Sequence, residues 1–264
     1  MSQDTGEDGT GQFTTGQGGD VSLRKPVNSN LLHALFDERF VVADGMGGHA
    51  AGEGASQAVV EGIVAFVEAT QTMSPDQTWP VPFDLEQSVN ANRLRAGFRM
   101  GNRRIAAQIA AASELRGMAT TAVAVLIDGG TGTLAHVGDS RAYRLRDGQL
   151  DRLTRDHSWV EEQIRVGALS ETAARQHPWR NIVTRALSGS EDLEVDIQEV
   201  ALQSGDRLLL CSDGVFTVLD DGQIGEVLRR KTDLDQLCHA LIQGANDGGG
   251  PDNVTAVVLE INAV

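Results

Sequence analysis

The sequence predicts an α+β protein in which antiparallel sheet is covered by helices, and three observations carry that prediction. Short β-branched or aliphatic runs, most ending at Gly or Asp, recur at 40–43, 121–127, 134–137, 207–211 and 254–261, as strands would. Two longer segments, about 50–70 and 85–112, repeat apolar residues at three- and four-residue spacing, the pattern of amphipathic helices lying on a sheet. The stretches 133–140 and 142–148, joined at Gly-Asp-Ser-Arg, alternate as the two arms of a β-hairpin. The loop between the two helices holds three of the six prolines, which explains why the helical pattern stops there. No internal repeat or linker divides the chain, so one domain is expected.

Composition narrows the function. A chain of 264 residues with 41% hydrophobic content can bury a sizeable core. No apolar stretch approaches the ~20 residues that cross a bilayer, and the opening MSQDTGEDGTGQ lacks both a basic and an apolar leader region, so a cytoplasmic protein with no membrane partner is expected. Residues 1–19 read as a mobile tail that includes the start of an edge strand at Phe13, leaving 20–264 as the domain. Cys211 and Cys238 are too few for a disulfide framework and lack the paired spacing of a zinc site, so buried reduced thiols are expected. A net charge of -15 argues against nucleic-acid binding and requires a local positive site for any phosphorylated ligand.

The chemistry lies in aspartates that follow apolar runs, where a strand delivers a side chain to the edge of a sheet. Three recur with a glycine beside them or just upstream: Asp44 in Val-Val-Ala-Asp-Gly-Met-Gly-Gly-His, Asp213 in Leu-Cys-Ser-Asp-Gly, and Asp252 in Gly-Gly-Pro-Asp-Asn. Glycine allows close backbone approach, so a carbonyl can join the carboxylates as a ligand. Carboxylates converging on one point raise one another's pKa unless a cation holds them ionised. Oxygen donors without a nearby Cys or His pattern suit Mg²⁺ or Mn²⁺. Any one Asp-Gly is ordinarily a turn former; the ordered set, with Gly-Asp-Ser-Arg between the first and second, is what outweighs that reading.

Over about residues 20–261 this set resembles the metal-dependent serine/threonine protein phosphatases of the PPM (type 2C) family, in its bacterial form. The resemblance implies a four-layer α-β-β-α sandwich of two antiparallel sheets flanked by helices, with a dinuclear centre in a cleft at one end. It implies that Asp44 bridges two Mn²⁺ or Mg²⁺ ions, that the Gly45 carbonyl serves the first, and that Asp213 and Asp252 complete the second. A water shared by the ions would attack the phosphorus of phosphoserine or phosphothreonine in a protein substrate, supplied by a serine/threonine kinase, without a phosphoenzyme. Cysteine chemistry is not required.

Some positions depart from the family pattern. Where relatives show Gly-x-x-Arg-x-x-Asn-Glu/Gln-Asp, Lys25 stands for the phosphate-binding arginine, with Arg24 adjacent, and Asn30 for the aspartate that orders the first metal's waters. Lysine offers a point charge rather than a planar fork, and Asn30 removes one negative charge. Arg116 stands for an aspartate of a third, weaker metal site, with Glu114 a poor substitute, so that site is expected absent or altered. Met46 replaces a histidine of animal relatives that would protonate the leaving group. His49 either shapes the cleft or caps a helix, and Asp139 reads as a turn residue rather than a ligand. Residues 154–189 correspond to a flap beside the cleft, in which Trp159, His177 and Trp179 either pack the flap or touch substrate. Two other readings stay open: a catalytically weakened domain that binds a phosphoprotein, and a small-molecule phosphomonoesterase.

Overall fold

Strands covered on both faces must be apolar on both, and the runs that signalled strands are of that kind. In the computed structural model, which describes residues 13–19, 30–35, 39–47, 49–73 and 76–262, alternate residues of one strand enter different cores. Val41 and Ala43 join Val59, Ile63, Leu94 and Phe98 in a helix-side core. Their neighbours Phe40 and Val42 join Val123, Leu208, Leu210, Val257 and Leu259 in a core between two sheets. Leu209, Cys211 and Val258 face a third core with Ile224, Leu237 and Leu241. Three stacked cores make four layers, helix, sheet, sheet, helix, as the resemblance implied.

In chain order the described elements are β1 (Phe13–Gly19), β2 (Asn30–Leu35), β3 (Arg39–Met46), α1 (His49–Ala69), α2 (Val89–Ala111), β4 (Ala119–Thr120), β5 (Ala122–Asp128), β6 (Thr131–Val137), β7 (Arg141–Arg146) and β8 (Gln149–Arg152). Then follow α3 (Trp159–Arg165), α4 (Glu171–Arg175), β9 (Asp196–Ala201), β10 (Arg207–Cys211), α5 (Asp213–Phe216), α6 (Asp221–Leu228), α7 (Leu234–Asp247) and β11 (Thr255–Ile261). One sheet runs β1-β11-β10-β7-β8 and the other β2-β3-β5-β6-β9, with β4 paired to β3. Every described pairing is antiparallel. The segment from Phe13, where the tail was expected to meet an edge strand, is β1 on the edge beside β11.

Two expectations need correction. The segments around Gly-Asp-Ser-Arg do not form a hairpin: β6 pairs with β5 and β9, whereas β7 pairs with β10 and β8 in the other sheet. Period-two alternation suits any strand and does not name its partner. The residue that sends the chain across is Gly138, at φ +101°, where an added Cβ would lie 2.5 Å from the Thr121 side chain. The true hairpin turn on that sheet is Asp147-Gly148, with both φ values positive as a tight two-residue turn demands. The second long helix begins at Val89 rather than near 85, because Ser88 caps it by accepting from the Ala91 N–H and Asn92 bonds back to Asp84. Leu85, counted into the helical pattern, is 84% exposed.

Candidate active site

The inner strands of both sheets end at one rim, and the three aspartates sit there. Asp44 lies near the end of β3, its backbone opposite Asn30 of β2. Its carbonyl accepts from the Thr121 N–H at 2.9 Å and from Thr120 Oγ1 at 2.8 Å, which fixes the strand end against β5. Gly45 follows, opposite Thr120. Asp213 opens α5 directly after β10. Asp252 precedes β11, the neighbour of β10, and one of its oxygens accepts from the Asn253 N–H at 2.8 Å. Gly214 explains why these two carboxylates meet: a Cβ there would lie 2.1 Å from the Asn253 carbonyl oxygen, so only glycine lets α5 press against that loop.

The electrostatics are those of like charges forced together. Burial, then the Asp213 charge, holds the Asp44 carboxyl well above the usual carboxylate range. Asp213 is pushed up to about 6 by burial and by Asp252. Asp139 is pushed up to about 7 by burial, Asp213 and Asp156. Asp139 therefore belongs to the acid cluster and is not merely a turn former; the crossover at Gly138 aims it at the rim, and Thr121 Oγ1 pins the turn through Ser140 Oγ at 2.7 Å. Asp213 Oδ1 is buried without a hydrogen-bond partner. An orphan carboxylate oxygen among raised carboxyls fits a hard cation, and the cluster offers only oxygen donors.

Arg141 was not singled out in the sequence. It forks onto Asp156 with contacts of 2.6, 2.9 and 3.1 Å, donates to Tyr143 Oη at 2.9 Å, and lies 3.6 Å over the Phe216 ring. Burial works against its charge, but Asp156 outweighs burial and keeps the guanidinium pKa raised; that charge in turn restrains the rise at Asp139 and Asp213. The motif Gly-Asp-Ser-Arg carried the signal, since its last residue follows the aspartate by two positions. Asp156 lies near the start of the segment read as a flap. That segment holds α3 and α4 and returns to the sheets through Thr120–Leu187 pairing. Trp159 meets His177 at a tilt and Trp179 edge to face, with centroids 4.7 and 4.8 Å apart, so these rings pack the flap together.

The other expected site residues lie away from this cluster or outside the described residues. Lys25 and Arg24 lie outside the described residues, as do the side chains of Asn30 and His49; His49 does open α1. Arg116 is exposed and lines a separate surface groove with Ala106 and Ser190, and Glu114 is exposed in a short turn of helix.

A second grouping of potential ligands lies apart from the aspartates. His136, His157 and Asp196 bring one ligand atom each within 4.8 Å of one another. Gly138 donates its N–H to His157 Nδ1 at 3.1 Å, which leaves the proton on Nε2, 3.2 Å from Asp196 Oδ2. The His136 Nε2 meets the Arg155 carbonyl at 2.8 Å, and the two rings stack 4.8 Å apart. A metal at His157 Nε2 would need the proton on Nδ1, where a backbone donor already points. This triad is a brace, not a metal centre.

A two-sheet sandwich between helices, with an acid cluster at one rim, defines the fold and the site, and sequence comparison gives the family. The chain belongs to the family described as Protein phosphatase 2C, matched over residues 35–254. It is 40% identical over 220 residues to the serine/threonine protein phosphatase PstP of Mycobacterium tuberculosis, covering 83% of this chain and 40% of that relative. With the serine/threonine phosphatase stp of Listeria welshimeri it shares 36% identity over 225 residues, 84% of each chain. The fold superposes, at TM-score 0.80 and 35% identity, on the PstP catalytic domain solved in complex with two manganese ions, covering 95% of this chain and 98% of that one. The chain thus spans less than half of the M. tuberculosis protein.

Proposed function

We propose that this chain hydrolyses phosphoserine and phosphothreonine esters in proteins, using two Mn²⁺ or Mg²⁺ ions held by Asp44, Asp213 and Asp252 with the Gly45 carbonyl. The observation that carries the reading is the partnerless buried Oδ1 of Asp213 inside a cluster of carboxyls raised by burial and by one another. Bound there, divalent cations supply Lewis acidity, acidifying a water and neutralising phosphoryl oxygens.

The chain's own residues set the geometry for that chemistry. Thr120 and Thr121 hold the Asp44 carbonyl and so orient its carboxylate. The N–H of Gly214 favours ionised Asp213. Arg141 lends positive charge to Asp139 and Asp213 while anchoring the flap through Asp156. Asn30 is assigned to the waters of the first ion, a role supported by its pairing with Asp44. Lys25 and Arg24 are assigned to the substrate phosphate.

The substrates we propose are products of a serine/threonine kinase, by analogy with relatives named serine/threonine protein phosphatases. A net charge of -15 disfavours nucleic acid as a partner. No helix among the described residues is long and apolar enough to cross a membrane. Two buried free thiols, Cys211 and Cys238, accord with a reducing, cytoplasmic place of action.

The test is turnover of p-nitrophenyl phosphate and of a phosphothreonine peptide with millimolar Mn²⁺. Activity should disappear with EDTA and return with excess metal. Peptide binding without turnover would replace this reading with that of a phosphoprotein-binding domain.

A further inference from the structure

Most arginines around the rim are already engaged. Arg141 pairs with Asp156, Arg152 with Glu161, Arg144 with Asp151 and Arg185 with Asp196. Arg175 and Arg180, on the flap, are exposed and have no carboxylate partner among the described residues. Both line a groove of about 590 Å³ whose other wall carries Asp213 and Asp252. Both also line a second cavity of about 310 Å³ that meets the first at Asp213.

The two cavities differ in how many acidic residues face the arginines. The smaller is lined by Asp139, Asp156, Glu161, Glu171 and Asp221 besides Asp213, so acidic residues outnumber its arginines. The larger has no acidic residue in its lining except Asp213 and Asp252. With those two carboxylates neutralised by cations, the larger groove presents two unpaired guanidinium groups to whatever lies beside the scissile phosphate. On a chain of net charge -15, that is a local positive site of the kind a phosphorylated protein needs.

We infer that Arg175 and Arg180 select phosphoprotein segments carrying a second anionic group, a carboxylate or another phosphate, within a few residues of the phosphate to be removed. This rests on the phosphatase reading and adds to it the substrate's sequence character. Guanidinium groups recognise both anions by paired N–H donation, so either source fits the same wall. Exposed pairs are individually weak, and two acting together set a preference of about tenfold rather than absolute selection.

The experiment compares kcat/KM for three phosphothreonine peptides of one length: alanine-flanked, glutamate-flanked, and carrying a second phosphothreonine. Expected for the wild type is about tenfold preference for one or both anionic peptides over the alanine one, shrinking as salt rises. In R175Q/R180Q the preference should fall towards one, and in R175K/R180K much of it should persist. The two anionic arms show which source the wall takes. Equal kcat/KM for all three peptides in the wild type, or a preference that survives R175Q/R180Q, overturns the inference and leaves the phosphatase intact. Failure of the wild type to hydrolyse even p-nitrophenyl phosphate overturns the phosphatase reading itself, and this inference with it.

Discussion

The protein holds two separate clusters of potential ligands, and they differ in how their polar atoms are satisfied. Asp44, Asp139, Asp213 and Asp252 crowd together; burial and neighbouring carboxylates raise the first three, and a buried oxygen of Asp213 is left without a donor. His136, His157 and Asp196 also crowd together, yet each ring has a partner: the Arg155 carbonyl, the Gly138 N–H, the Asp196 carboxylate. The difference teaches where a cation is needed. A cluster that is incomplete as protein is a ligand site, whereas one completed by backbone and a counter-charge is part of the framework.

Substitutions in the first cluster should give the largest effect and act on catalysis. Asp213→Ala and Asp44→Ala are each expected to lower Mn²⁺-dependent turnover at least about a hundredfold. Thermal stability in metal-free buffer should hold or rise, because a repelled buried carboxyl has been removed. Near-normal turnover in either variant would mean that the metal assignment is wrong. In the second cluster the balance should reverse. His157→Ala removes the acceptor of the Gly138 N–H and the donor to Asp196, a loss of about 1–3 kcal/mol in urea unfolding. Mn²⁺ titrations of activity should then shift less than they do for the aspartate variants. A His157→Ala protein that unfolds like the wild type would show that the brace carries no load.

How legible this was in sequence follows from the same contrast. Asp44 and Asp213 could be read because each follows an apolar strand and stands beside glycine, and Asp252 because Gly-Gly-Pro leads into it just before an apolar strand, so local pattern and site coincide. The helix-sheet layering could be read because the inner strands, β5, β10 and β11 above all, are apolar on both faces. Asp139 and Arg141 were missed as site residues because their role depends on β6 and β7 lying in different sheets, and alternation alone does not reveal partners. The brace was invisible for the same reason: His136, His157 and Asp196 belong to β6, the flap base and β9, which only the sheet order brings together. Arg175 and Arg180 look like ordinary surface charge until the groove gives them a wall to stand on.

The smallest expected effect separates the clusters by the sign of their proton linkage. His157 and His136 both titrate below their ordinary value of 6.5, in each case because burial disfavours the charged ring. The unfolded chain therefore binds protons more readily than the fold does as pH drops past that value. The stability these rings contribute is complete above pH 6.5 and is lost as pH falls through it towards the lower folded values, at up to about 1.4 kcal/mol per pH unit for each ring. In metal-free protein the raised carboxyls of Asp44, Asp139 and Asp213 act with the opposite sign, since the fold holds their protons more tightly. Those terms are common to wild type and His157→Gln and cancel in the difference. Between pH 7.5 and 5.5 the wild type should thus lose more stability than His157→Gln, by at most about 2 kcal/mol in urea unfolding. Parallel curves would show that His157 takes up a proton in the fold as easily as in the unfolded chain, and the fixed tautomer on which the brace depends would have to be abandoned.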